Sequence, residues 1–272
     1  MTWKKANNNQ STILVEKEGV PYLTFDKLSK AGVIHGFSTR MGGVSTGIFE
    51  SMNLSYNRGD EKEAVDENYR RIGNAIGFDP AKLVFSNQIH TTDIKIVTEE
   101  DCGKVMTGMD GLMTNIPGIP MVTSYADCVP LFFYDPVKCV VAVSHSGWKG
   151  TVHRMGRVTV EKMMNEFGSK PEDIIVAVGP SICQDCYEIS EDVAVQFQKE
   201  FPDWVEDILI DKKNGKYQLD LWKTNELILL DCGILPEHLD VTDLCTCCND
   251  KLLFSHRASK GKRGNRGGFI ML

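Results

Sequence analysis

A chain of 272 residues that is 42% hydrophobic and 25% charged can bury a full core and sits at the upper edge of what one domain carries, so residues 1–272 read as a single domain. The net charge of -7, from 30 Lys and Arg against 37 Asp and Glu, argues against a general nucleic-acid or anionic-membrane surface, since both need a basic face. No apolar run approaches the roughly 18 to 20 residues of a bilayer span. Residues 1–10 are polar with no apolar export segment, and the nine cysteines therefore read as reduced thiols in an expected cytoplasmic protein.

In chain order, residues 34–37 are a strand-like run that breaks into Ser38-Thr39-Arg40-Met41-Gly42-Gly43, where paired glycines permit a turn that puts Arg40 on a loop. Residues 60–77 carry Ala64, Val65, Tyr69, Ile72 and Ile76 at helical spacing, with acids in the first turn and Gly77 at the end, which predicts a helix. Residues 82–85, 92–97 and 119–125 read as strands. Two further apolar β-rich runs, 129–134 and 139–144, form the expected centre of a mixed sheet. A helix is predicted over 150–167, a strand over 174–178, a turn at Gly179-Pro180 and a helix over 191–201. Residues 211–215 read as a hairpin turn before a strand at 216–219, a helix at 221–232 and strands at 239–244, 252–255 and 268–272. The alternation is that of an α/β protein.

Three segments place one deprotonatable ligand each at the end of a strand-like run: Asn87-Gln88-Ile89-His90, Ala126-Asp127-Cys128-Val129-Pro130 and Ser144-His145-Ser146-Gly147-Trp148. A thiolate and two imidazoles are what zinc takes in a catalytic site that keeps its fourth position open. Strand ends are where α/β proteins place reactive groups. Two other readings use the same residues. Cys128 and His145 could be a nucleophile and base oriented by Asp127 or another carboxylate, or the three could be unrelated core and loop residues.

Cys183 and Cys186 form a C-x-x-C without a thioredoxin-like context, and Cys245-Thr246-Cys247-Cys248 is followed by no second pair at ligand spacing. Each, taken by itself, reads as structural and not as a ligand set. The run from Ser255-His256-Arg257 to Arg266 is basic within an acidic chain. It reads as a solvated loop or as an anion contact, with Arg257 the best anion-binding candidate because a guanidinium grips phosphate or carboxylate bidentately. Gly42-Gly43 and the glycines of 264–268 lack the spacing of phosphate-binding loops, so no nucleotide cofactor is implied.

His35-Gly36-Phe37-Ser38-Thr39-Arg40, Gly42-Gly43-Val44-Ser45, Asn53-Leu54, the three ligand segments, Gly179-Pro180, Cys186-Tyr187-Glu188, Cys245-Thr246 and Phe254-Ser255-His256-Arg257 resemble the laccase-domain purine nucleoside phosphorylase family, which includes the peptidoglycan editing factors. The resemblance runs from about residue 32 to the C-terminus. It implies a single α/β/α domain with a mixed central sheet, similar to bacterial toxin deamidases with a Cys-His site. It also implies a zinc enzyme that phosphorolyses purine nucleosides and deaminates adenosine, with His90, Cys128 and His145 at the metal-ligand positions.

Adenosine, inosine and methylthioadenosine are the candidate substrates, with phosphate as second substrate, Asp127 as proton-transfer group and Arg40 or Arg257 as anion clamp. The chain departs from the family pattern at Ile89, where Val is common, at Ser146 and Lys149 of a segment otherwise Ala-Gly-Trp-Arg, and at His256, where Tyr is common. Lys149 weakens any bidentate anion contact made there. Multicopper oxidase chemistry fits poorly, because six dispersed histidines cannot supply several copper clusters, so zinc is expected ahead of copper. The usual zinc deaminase signature is missing, so deamination here would use another scaffold. The alternative enzyme reading is a Cys-His amidase that edits a peptidoglycan precursor, metal-independent and sensitive to alkylation. A non-enzymatic binding module would turn over neither substrate.

Overall fold

The computed structural model of the chain describes residues 3–6 and 11–272; the rest of the polar segment 1–10 lies outside the described residues. The chain opens with a hairpin, β1 (Thr12–Lys17) and β2 (Val20–Phe25), then α1 (Asp26–Lys30), β3 (Ile34–Ser38) and α2 (Lys62–Ile76). Next come β4 (Val84–Asn87), β5 (Ile94–Ile96), β6 (Val105–Thr107), β7 (Gly111–Thr114), β8 (Met121–Tyr125), β9 (Val129–Asp135) and β10 (Val140–Ser146). The remainder is α3 (Trp148–Val152), α4 (Met155–Phe167), β11 (Ile175–Val178), β12 (Glu188–Ser190), α5 (Glu191–Glu200), α6 (Val205–Ile208), β13 (Leu209–Asp211), β14 (Lys216–Leu219), α7 (Leu221–Asp231), β15 (Leu239–Val241), α8 (His256–Ser259) and β16 (Arg266–Met271).

The strands form a seven-stranded sheet in the order β1-β2-β3-β16-β8-β4-β6, a six-stranded sheet β15-β11-β9-β10-β7-β5 and a small sheet β12-β14-β13. Both large sheets are mixed: β4 runs parallel to β6 and β8, β15 to β11 and β5 to β7, while the other pairs are antiparallel.

Side-chain alternation shows how these sheets stack, because successive strand residues face opposite sides. In β9, Leu131 and Phe133 belong to one core with Val160, Met163, Ile228 and Leu229 of α4 and α7. Phe132, between them, belongs to a second core with Leu23, Phe25, Phe37 and Met121 of the other sheet. The far face of that other sheet, with Tyr22, Val122 and Phe269, packs on Val65, Tyr69 and Ile72 of α2. The layers are helix, sheet, sheet, helix. This corrects the expectation of one mixed central sheet between two helix layers. The runs in β9 and β10 are buried on both faces, and such a run has the same composition whether its cover is a helix or a second sheet.

Local corrections have local causes. The helix expected over 150–167 is two helices, because Arg154 adopts φ 56° and turns its side chain to Glu200 and Asp231. Residues 252–255 form no strand; Ser255 instead caps α8, its Oγ accepting the Ala258 N–H. The hairpin expected at 211–215 joins β13 to β14. No described helix is long and apolar enough to cross a membrane.

Candidate metal centre and its pocket

The chain passes from the seven-stranded to the six-stranded sheet three times, between β4 and β5, between β6 and β7 and between β8 and β9. The first and third crossings carry one expected ligand each, and the second carries Asp110. His90 sits in the first with φ 64°, and Asp127, at φ 79°, bends the third so that Cys128 directly precedes β9. His145 lies in β10 opposite Pro130, two residues along from Cys128. The three ligand atoms lie within 4.8 Å of one another. Ligands at zinc distances of about 2.0 to 2.3 Å from a tetrahedral centre lie roughly 3.3 to 3.8 Å apart, so small side-chain adjustments close the set around one ion.

Asp110, which sequence reasoning passed over, organises this cluster. Its carboxylate meets His145 Nδ1 at 2.8 Å and accepts the backbone N–H groups of Ile89, His90 and Thr91 at 2.9, 3.1 and 3.0 Å. With Nδ1 engaged, His145 has Nε2 left for a metal, the arrangement that carboxylate partners impose on metal-binding histidines. Burial disfavours a charged His145, but the charge of Cys128 and the Asp110 carboxylate outweigh it and hold the ring up to about 9. His90 shifts the other way, lowered by burial and by the neighbouring His145. Such a pair of imidazoles beside a thiol competes for one positive charge, which a divalent cation replaces on ligation. The donor set therefore fits zinc. Gly147 leaves room for the cluster: a Cβ there would lie 3.0 Å from His90 Nδ1 and 3.1 Å from Cys128 Sγ.

Among the described residues, His90 and His145 are the histidines that share such a cluster. His35 is fixed in the core between the Phe25 N–H and the Val33 carbonyl, so the histidines do not assemble several copper centres.

The cluster opens into a pocket of about 780 Å³. His145 is buried, Cys128 half-buried and His90 exposed, so the open side faces the pocket. Tyr56, Phe85 and Tyr187 contribute aromatic rings to its wall, and Arg58, Arg257 and Arg263 contribute guanidinium groups. Arg263 is buried, with its Nε unpartnered and its Nη1 donating to Gly264 and Asn265; burial and the nearby Arg58 push it down to about 10.

The remaining expected residues fall differently. Arg257 does line the pocket, where its guanidinium donates to the carbonyls of Cys186 and Glu188 at 3.0 Å each. Asp127 lines it too, but its carboxylate accepts from Thr246 Oγ1 at 2.6 Å, Ser255 Oγ at 3.0 Å and the Arg257 N–H at 2.7 Å. That geometry ties the Asp127 loop to Thr246 and to the 255–257 turn. Arg40 does not line the pocket: its guanidinium donates to the Glu50 and Asp250 carbonyls at 2.8 and 2.7 Å and lies over Phe254. The turn glycines did put Arg40 on a loop, yet the loop folds onto the chain itself. Arg263 lies in the basic run read as an anion contact, although Arg257 is the candidate the sequence favours there; nothing in the neighbourhood of Arg58 marks it apart from other loop arginines.

The chain is similar to known proteins over most of its length. The family described as multi-copper polyphenol oxidoreductase laccase matches residues 34–272. The purine nucleoside phosphorylase YlmD of Bacillus subtilis is 38% identical over 245 residues, covering 88% of each chain. The adenosine deaminase RL5, from an unknown prokaryotic organism, is 30% identical over 246 residues, covering 86% of this chain and 94% of that protein. The crystal structure of YlmD from Geobacillus stearothermophilus superposes with a TM-score of 0.90 at 32% identity, covering 96% of this chain and 98% of that one.

Proposed function

The chain belongs to the multi-copper polyphenol oxidoreductase laccase family, and from that premise we propose that it is a zinc-dependent purine nucleoside phosphorylase that also deaminates adenosine. The observation that carries this reading is the convergence of His90, Cys128 and His145 on the floor of a pocket walled by aromatic rings and guanidinium groups. Relatives named for the two activities, a phosphorylase and an adenosine deaminase, support it.

His90, Cys128 and His145 would hold the zinc, which supplies Lewis-acid chemistry and makes water a usable nucleophile at neutral pH. The protein groups do the rest. Asp110 keeps His145 in one tautomer and ties the His90 loop to it through three backbone N–H groups. The aromatic wall offers flat apolar faces to a purine, and a pocket of this size suits a nucleoside. In phosphorolysis the bond from ribose to purine breaks and a phosphate oxygen takes the purine's place, so a phosphate must be held beside the sugar. Arg263 and Arg58 line the pocket and offer their positive charge for that purpose. Asp127 acts as a positioning residue, since proton transfer would require it to release one of its three partners.

The deciding experiment incubates metal-assayed protein with adenosine, with and without inorganic phosphate, and identifies products by mass. Adenine and ribose 1-phosphate should form only with phosphate, and inosine under both conditions. Absence of nucleoside turnover, or full turnover in metal-free protein, would overturn the reading and favour the metal-independent amidase.

A further inference from the structure

We propose that Cys183, Cys186, Cys245 and Cys248 form a second metal site, a four-thiolate structural zinc centre behind the pocket wall. Read singly along the chain, the two pairs lack partners. Folding supplies them, because Ser181 and Cys245 pair in a parallel bridge, locked by the Thr246 N–H to the Ser181 carbonyl at 3.0 Å. Two C-x-x-C units, offset by 62 positions, are thereby laid side by side, and their four sulfurs come within 4.8 Å of one another.

The local backbone is shaped for ligation. A 3-10 turn, Gln184–Cys186, brings Cys186 back over Cys183, the Cys186 N–H meeting the Cys183 carbonyl at 3.1 Å. The backbone N–H groups of Cys183 and Cys248 both point at Cys245 Sγ, at 3.3 and 3.4 Å. Donors aimed at a sulfur favour its thiolate form, the form a metal binds. Cys186 Sγ and Cys248 Sγ lie 3.5 Å apart, and all four cysteines are free. Four thiolates at about 2.3 Å from one zinc are roughly 3.8 Å from each other, which this set can reach. Iron–sulfur clusters spread their thiolates over separate irons and need a wider frame. Cys247, inside the second unit, is not part of the group.

A buried charge nearby is consistent with the site. Arg266 is fully buried and its guanidinium nitrogens have no hydrogen-bond partner; it lies over Phe37, and the negative charges acting on it are Asp127 first, then Cys128 and Cys245. An unpaired buried cation is costly, and a four-thiolate zinc centre carries net negative charge. The centre would also brace the pocket: Ile182 and Tyr187, flanking the first pair, line the wall, and Thr246, inside the second, holds Asp127.

The test titrates cobalt(II) into the intact, reduced, metal-free chain under argon, with elemental analysis of the zinc form in parallel. Two equivalents of either metal should bind, with sulfur-to-cobalt charge-transfer absorption of a four-thiolate centre added to that of a one-thiolate centre. Cys128→Ala should lose the one-thiolate contribution and keep the larger one; Cys248→Ser should reduce zinc from two equivalents to one. Because the wild-type spectrum counts thiolates unaided, the result stands if Cys248→Ser does not fold. A single equivalent in the wild type, a spectrum with one thiolate only, or Cys183–Cys245 and Cys186–Cys248 disulfides in the anaerobic protein would overturn the proposal. The Cys128→Ala arm reads the pocket site separately, so either centre can fail without the other.

Discussion

Asp110 is joined to His145 twice: its carbonyl accepts the His145 backbone N–H at 2.7 Å and its carboxylate meets the Nδ1 of the same residue at 2.8 Å. One residue thus fixes both the position of the ring and its tautomer, and through three further N–H groups it fixes the His90 loop. Asp110→Asn keeps the shape but offers one acceptor oxygen where the carboxylate offers two. Zinc affinity should fall by about 10- to 100-fold, the usual effect of losing an outer partner of a metal-bound histidine. Chelator competition measures it, and unchanged affinity would remove Asp110 from the metal centre.

His90, Cys128 and His145, which the fold brings together, were legible because each sits in a distinctive short segment, and the strands feeding them announce themselves by β-rich apolar runs. Asp110 was not, since it stands between Met109 and Gly111 with no pattern, and its role depends on β7 lying beside β10. The four-cysteine cluster was hidden for the same reason: its halves meet only through the bridge at Ser181 and Cys245. The glycine motif around residue 43 was visible as a turn, but not its cause. A Cβ at Gly43 would lie 2.2 Å from the Ser51 carbonyl, in a loop tied together by Asn68. That motif builds the scaffold. Double-sided burial of β9 and β10 was readable too, although what covers each face was not.

Arg263 and Arg40 separate binding from scaffolding. Arg263→Lys keeps charge but loses the planar guanidinium at the pocket wall, so the Michaelis constant for phosphate should rise tenfold or more, with a smaller change in kcat. Arg40→Lys should leave that constant unchanged and lower the melting temperature, since it forfeits two hydrogen bonds to carbonyls and the stacking on Phe254. Steady-state kinetics and thermal unfolding of the two variants check both expectations; a phosphate effect in Arg40→Lys would return it to the site.

His35 makes stability depend on pH. Its Nε2 accepts the Phe25 N–H at 2.9 Å, leaving Nδ1 to donate to the Val33 carbonyl at 3.0 Å, so the folded state holds a neutral ring. Burial lowers its pKa from the ordinary value. Below about pH 6.5 the unfolded chain therefore binds a proton that the folded chain does not, and stability falls as pH falls. This contribution is complete above pH 6.5 and is lost at up to about 1.4 kcal/mol per pH unit below it. Urea unfolding at pH 7.5 and 5.5 should show a steeper loss for the wild type than for His35→Gln; equal losses would mean that His35 is not held neutral.

Cys128 distinguishes metal chemistry from thiol chemistry at one atom. It is half-buried beside the pocket, within reach of reagents that enter there. A cysteine that ligates zinc is already deprotonated, with its lone pair engaged, so iodoacetamide should modify it slowly in the zinc-loaded protein and faster after chelation. A free nucleophilic cysteine would react at the same rate with or without chelator, so peptide mass mapping of Cys128 over time separates the two. Activity on adenosine should vanish with zinc removal and return on zinc addition, provided Cys128 is not alkylated in between. Alkylation in the chelated state should block both zinc rebinding and recovery, because the carboxamidomethyl group occupies the space that Gly147 keeps clear beside His90 and Cys128. Rapid modification of Cys128 in the zinc-loaded enzyme, with activity lost in step, would instead identify it as a nucleophile.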